Sequence, residues 1–163
     1  MKNKHIVLLI SCIVLSQLVG LLGSVLSIGT PNDWYSQLEK SSLSPSALFA
    51  TIAWVVMFLL LGISLYLVLL DVVNNKKIND KLFNRAMAVL IIQWILNIAW
   101  SFIFFYVRSA SLAMLDLVAL IFAVIILMYY FYRLRPLAAY LLIPYLVWLL
   151  FDAYMNLVIL QLN

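Results

Sequence analysis

The chain has 163 residues, 67% of them hydrophobic and only 10% charged, with a formal charge of +4. Soluble domains are about 45–50% apolar, so this composition excludes an ordinary water-soluble fold and points to the bilayer. The small excess of base over acid gives no reason to invoke a nucleic acid.

Five apolar runs, at residues 6–28, 47–70, 84–106, 111–132 and 137–160, have the length a membrane helix needs. A hydrocarbon core about 30 Å thick takes roughly 20 helical residues. Only helices and closed barrels satisfy their backbone in lipid, and the strict alternation of barrel strands is absent. The expected fold is therefore all-α, a polytopic bundle of five transmembrane helices forming one domain over residues 1–163.

The first run follows Lys2 and Lys4. It is longer than the apolar region of a signal peptide, and no small-x-small cleavage site follows, so it reads as a span. Cys12 is the single cysteine and His5 the single histidine. Neither a disulfide nor a metal site is expected from them. Gly20, Gly23, Ser24 and Ser27 share one side of this helix, where small residues let a neighbouring backbone approach.

The connector that follows is richer than a turn requires. It holds Trp34, Tyr35, the Glu39–Lys40 pair and Pro45. The second run then places Trp54 and Phe58 four residues apart on one face. The connector 71–81 is polar and basic. On the third run, Gln93, Asn97, Trp100 and Phe104 fall on a single stripe. Asp116 lies in the outer part of the fourth run, where a structural partner such as Arg108 or a tyrosine is expected. Ala119 and Ala123 offer that helix a small-residue face. In the fifth run Pro136 suits a helix start, and Pro144 predicts a kink. Tyr145, Trp148, Asp152 and Asn156 form another stripe.

Polar groups inside a span are costly and usually face the bundle interior. Two readings of the stripes stand at this point. The aromatic residues are interfacial anchors and Gln93 and Asn97 interhelical glue, or the stripes together line a pocket. Aromatic walls with sparse polar groups suit a flat apolar ligand. The acid near mid-span favours the pocket, because it needs a partner or water.

Basic residues favour the cytoplasmic side. With five spans, Lys2, Lys4, Lys76, Lys77, Lys81, Arg85, Arg133 and Arg135 lie on one side, against Lys40 and Arg108 on the other. The N-terminus is thus expected in the cytoplasm, and the C-terminus and the first connector outside. A bacterial plasma membrane fits this pattern.

Three blocks of residues carry a resemblance to a known family. The first is Trp34-Tyr35, Leu38, Lys40, Pro45 and Trp54. The second is Asn97, Trp100, Phe104, Phe105, Arg108 and Asp116. The third is Pro136, Leu137, Pro144, Tyr145, Trp148, Phe151 and Asn156. In this order they resemble the TspO/MBR family of tryptophan-rich sensory and translocator proteins. The chain departs from the family pattern at Ser41 and Ser46, where prolines are usual, and at Leu43, where a Trp is usual. It departs again at Asp152, where relatives carry small or hydroxyl residues. Loss of the prolines predicts a looser connector. A loose match to a sterol-recognition pattern at residues 127–133 reads as an aromatic belt, and no sterol binding is expected.

The resemblance implies five-helix protomers, in the family often paired as homodimers, each with a pocket opening towards the first connector. It implies binding of tetrapyrroles such as protoporphyrin and haem, of synthetic isoquinoline carboxamides and of benzodiazepines, with no tightly bound cofactor. The expected ligand-binding set is Tyr35, Pro45, Trp54, Phe58, Gln93, Asn97, Trp100, Trp148 and Asp152, with the connector 30–45 as a lid. A tetrapyrrole receptor, sensor or carrier is the leading expectation. The alternatives are light-dependent porphyrin degradation, with Trp54 and Trp148 as catalytic residues, and small-molecule transport. An odd number of spans without an internal repeat gives alternating access little mechanical basis.

Overall fold

A computed structural model describes residues 2–28, 33–74 and 79–163. Lys76 and Lys77, two of the cations assigned to the cytoplasmic side, lie outside the described residues, as does the start of the expected lid at residues 30–32. The elements are α1 (Lys2–Ile28), α2 (Asp33–Gln37), α3 (Ala47–Val73), α4 (Asp80–Ser101), α5 (Ala110–Leu134), α6 (Pro136–Tyr140) and α7 (Ile143–Leu162). A π-helical turn, Phe102–Tyr106, continues α4. Five segments are long and apolar enough to cross a membrane: Asn3–Val25, Ala47–Val73, Asp80–Tyr106, Ala110–Leu134 and Pro136–Leu162. The chain is a multi-pass membrane protein. The apolar runs located each helix, and the helices continue past them into polar flanks by a turn or less.

Helix ends are set by local hydrogen bonds. Ser46 caps α3 by accepting from Phe49 N at 3.3 Å, Asn79 caps α4 by accepting from Leu82 N at 3.1 Å, and Ser109 caps α5 by accepting from Leu112 N at 3.3 Å. Each bond satisfies one of the donors left open at a helix start. The third span ends less regularly. Val107 N reaches back five residues to Phe102 O at 3.1 Å, and Arg108 then takes a left-handed conformation with φ 57°. That conformation stops the helix, as a glycine commonly does at this position.

The fifth span is broken, as Pro144 predicts. The break falls at Leu141–Leu142, just ahead of the proline, which sits in the first turn of α7. Broken helix in lipid must find partners for its freed carbonyls. Ser64 on α3 donates to one of them, Ala138 O, at 2.6 Å.

The spans form a closed ring in the order α1, α3, α6–α7, α5, α4 and back to α1. Around it α3 meets α6 closely and α7 only lightly. One end of the ring is tied by Arg135, which donates to the Asp71 carboxylate at 3.0 Å and to Leu67 O at 3.2 Å. At the opposite end the first connector lies against the C-terminal end of α7. There the Asn163 carboxamide accepts from Glu39 N and donates to Glu39 O, each at 3.0 Å. The outer surface of the ring is largely exposed aliphatic side chains, as a lipid-facing surface requires.

The small-residue face of α1 works inside the chain. A Cβ on Gly20 would stand 2.5 Å from the Phe58 ring, and one on Gly23 would stand 3.0 Å from Ser101 Oγ. Ser24 returns its hydroxyl to Leu21 O at 2.8 Å, and the Ser27 side chain lies outside the described residues. On α5, Ala123 is buried but Ala119 is exposed, so the expected small-residue face there is half realised. The tightest approach of one backbone to another at a glycine involves Gly62 on α3, which the sequence did not single out. A Cβ there would meet Ile13 Cα at 2.8 Å and Cys12 O at 3.0 Å, both backbone atoms.

Backbone cannot yield as a side chain can, so Gly62→Ala should force α1 and α3 apart. Overpacking of this kind costs about 1–3 kcal/mol. A fall in thermal midpoint in detergent larger than that of Gly23→Ala is expected. Equal midpoints for Gly62→Ala and the parent protein would contradict the packing.

Candidate functional site

The polar stripe of α4 and the stripe of α7 meet across the interior of the ring. Gln93 and Tyr145 are fully buried and Asn97 nearly so. The Asn97 amide donates to the Tyr145 hydroxyl and to Gln93 Oε1, the latter at 3.1 Å. Tyr145 in turn donates its hydroxyl proton to Gln93 Oε1 at 3.1 Å. These bonds join two helices that face each other across the ring. They are interhelical glue in the sense the sequence allowed, and they also form the floor of the site.

Aromatic rings continue the floor onto α3. Trp54 stacks on Phe58 at 5.6 Å and meets the Tyr145 ring edge-on at 6.3 Å. Trp54 also contacts Trp148 edge-on at 6.4 Å, and Trp148 contacts Phe151 at 5.5 Å and Phe49 at 6.2 Å. Bulky rings thus fill the place where the α3 and α7 backbones meet only lightly.

A second aromatic group forms a roof. Trp100 stacks on Phe104 at 5.2 Å and meets Phe105 at 6.1 Å. The π-helical turn holds both phenylalanines, and the connector docks on them. Trp34 meets Phe104 edge-on at 5.6 Å, and Tyr35 meets Phe104 at 6.0 Å and Phe105 at 5.8 Å. Lys40 Nζ lies 4.0 Å over the Tyr35 ring. Ala113 and Ile159 complete the cluster from α5 and α7.

Serines stand where the family pattern has two prolines, and both make local hydrogen bonds. Ser41 Oγ accepts from Leu43 N at 3.1 Å and Ser46 caps α3, so hydroxyl hydrogen bonds replace ring constraints. Ser44 Oγ lies 3.8 Å from Met155 Sδ on α7. Pro45 is half-buried between them and α3.

Around this interior are buried polar atoms without a partner among the described residues. Gln93 Nε2, Trp100 Nε1, Trp148 Nε1 and both amide atoms of Asn156 are buried without a hydrogen bond. Asp152 is half-buried on the α7 stripe, one turn from Trp148 and one from Asn156. It lies within electrostatic reach of Tyr145 below and Tyr35 above. Burial pushes the Tyr35 phenol above its usual pKa range, and the Asp152 carboxylate adds to the shift. Asp116 departs from expectation. Its Oδ2 is buried and bonds neither Arg108 nor a tyrosine among the described residues, because Arg108 turns outward where the helix ends.

The sequence-predicted residues thus divide into layers. Trp54, Phe58, Gln93 and Asn97 are floor, Trp148 and Asp152 are wall, and Trp100 and Tyr35 are roof, with Pro45 at the edge of the connector. The expected set left out Tyr145, which ties the floor together. Its place on the stripe of Trp148 and Asp152 was the signal. Phe104 was also left out, although it shares the stripe of Gln93, Asn97 and Trp100, and so were Phe49 and Phe105, which the observed ring contacts reveal.

The sequence profile of the TspO/MBR family matches residues 12–162. The chain is 34% identical over 161 residues to "Tryptophan-rich protein TspO" of Chlorobaculum tepidum, covering 99% of each. It is 32% identical to the protein of the same name from Archaeoglobus fulgidus, covering 98% of this chain and 99% of the relative. It is 31% identical to "Translocator protein" of Homo sapiens, over 76% of this chain and 70% of the human protein. The helix ring, the Trp-rich interior and these matches, which run through every span, establish that the chain belongs to the TspO/MBR family.

Proposed function

We propose that this protein binds tetrapyrroles such as protoporphyrin or haem within the membrane and serves as their receptor, sensor or carrier. One observation carries the reading. Unpartnered buried donors on Gln93, Trp100, Trp148 and Asn156 stand among aromatic rings from three helices and the connector. An orphaned buried polar group costs about 1–3 kcal/mol, a cost that a ligand supplying the missing hydrogen-bond partners recovers. A flat macrocycle offers rings for Trp54, Trp100 and Trp148 to stack on and acceptors for the orphaned donors. The same walls suit isoquinoline carboxamides and benzodiazepines, which carry amide acceptors on aromatic frames. The names of the relatives, tryptophan-rich and translocator proteins, agree with a ligand-handling role. The homodimer suggested by the family resemblance would use a surface other than Gly20 and Gly23, which are occupied within the chain.

A second reading, light-dependent porphyrin breakdown, draws on the ring contacts. Trp54 touches both Trp148 and Tyr145, so an oxidising equivalent formed beside Trp148 has a short aromatic path to the hydrogen-bonded Tyr145. Trp54 and Trp148 would be the catalytic residues.

Sidedness follows from charge. The Asp71–Arg135 end, with Arg85 and Arg133 close by in sequence, is assigned to the cytoplasm, and the Glu39–Asn163 end to the outside.

Protoporphyrin should quench the tryptophan fluorescence of the purified protein saturably in the dark. Trp148→Ala should raise Kd at least about thirtyfold, the scale of losing an aromatic anchor worth about 2 kcal/mol. Binding as tight as in the parent protein would place the ligand elsewhere. Under light, the second reading expects porphyrin absorbance to fall faster with the parent protein than with Trp54→Phe/Trp148→Phe. Equal rates, or a rate no greater than free porphyrin in detergent, would remove it. In intact cells, a cysteine at Ser42 should react with a membrane-impermeant thiol reagent and one at Lys4 should not. The reverse pattern would invert the topology.

A further inference from the structure

Among the described residues Asp152 is the acidic side chain in the wall of the site, and its surroundings are unusual for a carboxyl group. It stands within a membrane span, half-buried on the stripe of α7 that carries Tyr145 and Trp148, one turn from Trp148 and one from Asn156. No lysine, arginine or histidine forms an ion pair with it among the described residues, where the Asp71–Arg135 pair lies at the opposite end of the ring. Its neighbour on the stripe, Asn156, is 2% exposed and has neither amide atom bonded. A carboxylate held in lipid without a cation is costly and calls for a positive partner.

Aromatic faces and a carboxylate are together the chemistry that recognises an organic cation, since ring quadrupoles attract positive charge as the carboxylate does. The chain already shows one such contact. The Lys40 ammonium sits 4.0 Å over Tyr35, the roof ring that feels Asp152. An amine on a flat ligand, placed beneath Tyr35 and against Trp148, would reach the same field from inside the site.

We propose that Asp152 makes this site select aromatic ligands that carry a protonated amine over those that carry a carboxylate. The inference rests on the interior site described above. It adds an orientation to the tetrapyrrole reading: a bound porphyrin turns its propionates away from α7 and towards the connector, where Lys40 stands. The Asn156 amide then accepts from the amine or bonds a neighbouring polar atom.

The test is a charge series on one frame. Protoporphyrin, its dimethyl ester, and its diamide bearing a tertiary amine on each arm are titrated against the parent protein, Asp152→Asn and Asp152→Ser. A second pair, 1-naphthylmethylamine and 1-naphthoate, is titrated alongside. Helical circular dichroism and size exclusion confirm that each variant is folded. The parent protein should prefer amine to ester to acid, and the amine-to-acid preference should fall at least about tenfold in both variants, as expected for loss of a charge-assisted hydrogen bond. An unchanged preference, or an equal change for all three porphyrins, would overturn the inference, the latter because it marks a role in packing or lid closure. If the porphyrins fail to saturate while the naphthyl pair discriminates through Asp152, the tetrapyrrole reading falls and the amine selectivity stands. If neither series saturates, both fall.

Discussion

The hydrogen-bonded cluster of Gln93, Asn97 and Tyr145 is the constraint on which the interior depends. In lipid, apolar burial does little to hold helices together, because the surrounding tails are as apolar as the side chains. Packing and polar bonds between helices must do it. This cluster joins α4 and α7 across the ring. It fixes the rotation of both helices. Once Gln93 and Asn97 point inward, Trp100 and Phe104 must follow on α4, and once Tyr145 points inward, Trp148, Asp152 and Asn156 must follow on α7. The polar floor therefore determines which side chains face the ring interior.

The upper end depends on a different device. The π-helical turn and the left-handed Arg108 end the third span with Phe104 and Phe105 both turned towards Trp100 and the connector. Trp34 and Tyr35 then dock by edge-to-face contact, and Asn163 clasps the backbone of Glu39. Few of these contacts are strong. Edge-to-face ring pairs contribute about 0.5–1.5 kcal/mol each, and the Glu39–Asn163 bonds are exposed to solvent. The floor is thus held by buried bonds and the roof by weak ones, the distribution expected of a site that opens at the connector end.

Much of this was legible in the sequence. Five apolar runs defined the spans, and helical periodicity put Gln93, Asn97 and Trp100 on one stripe and Tyr145, Trp148 and Asp152 on another. Both stripes face the interior, and Pro144 broke the fifth span as its missing N–H requires. What escaped was set by contacts between distant residues. Gly62 looks like any glycine in an apolar run until α1 is laid against it. Phe105 lies off the helical stripe, and only the π-helical turn brings it to Trp100. Asp116 was expected to find a structural partner such as Arg108 or a tyrosine, but Arg108 is exposed beyond the helix end and Asp116 Oδ2 bonds neither among the described residues. The Asp71–Arg135 bridge joins residues 64 apart, and no spacing rule announces it.

The central claim is that a flat ligand lies between the Tyr145 floor and the Tyr35 roof. The indole N–H signals of the five tryptophans report on it directly, since each is a single resonance in protein labelled with nitrogen-15 at tryptophan. Protoporphyrin dimethyl ester would be added to the protein in detergent micelles. Trp54, Trp100 and Trp148 should shift saturably with one common Kd. Trp94, which lies off the interior stripe of α4, should stay near its starting position. Shifts of all five signals to the same degree, or a shift confined to Trp94, would place the ligand outside this interior site and contradict the account.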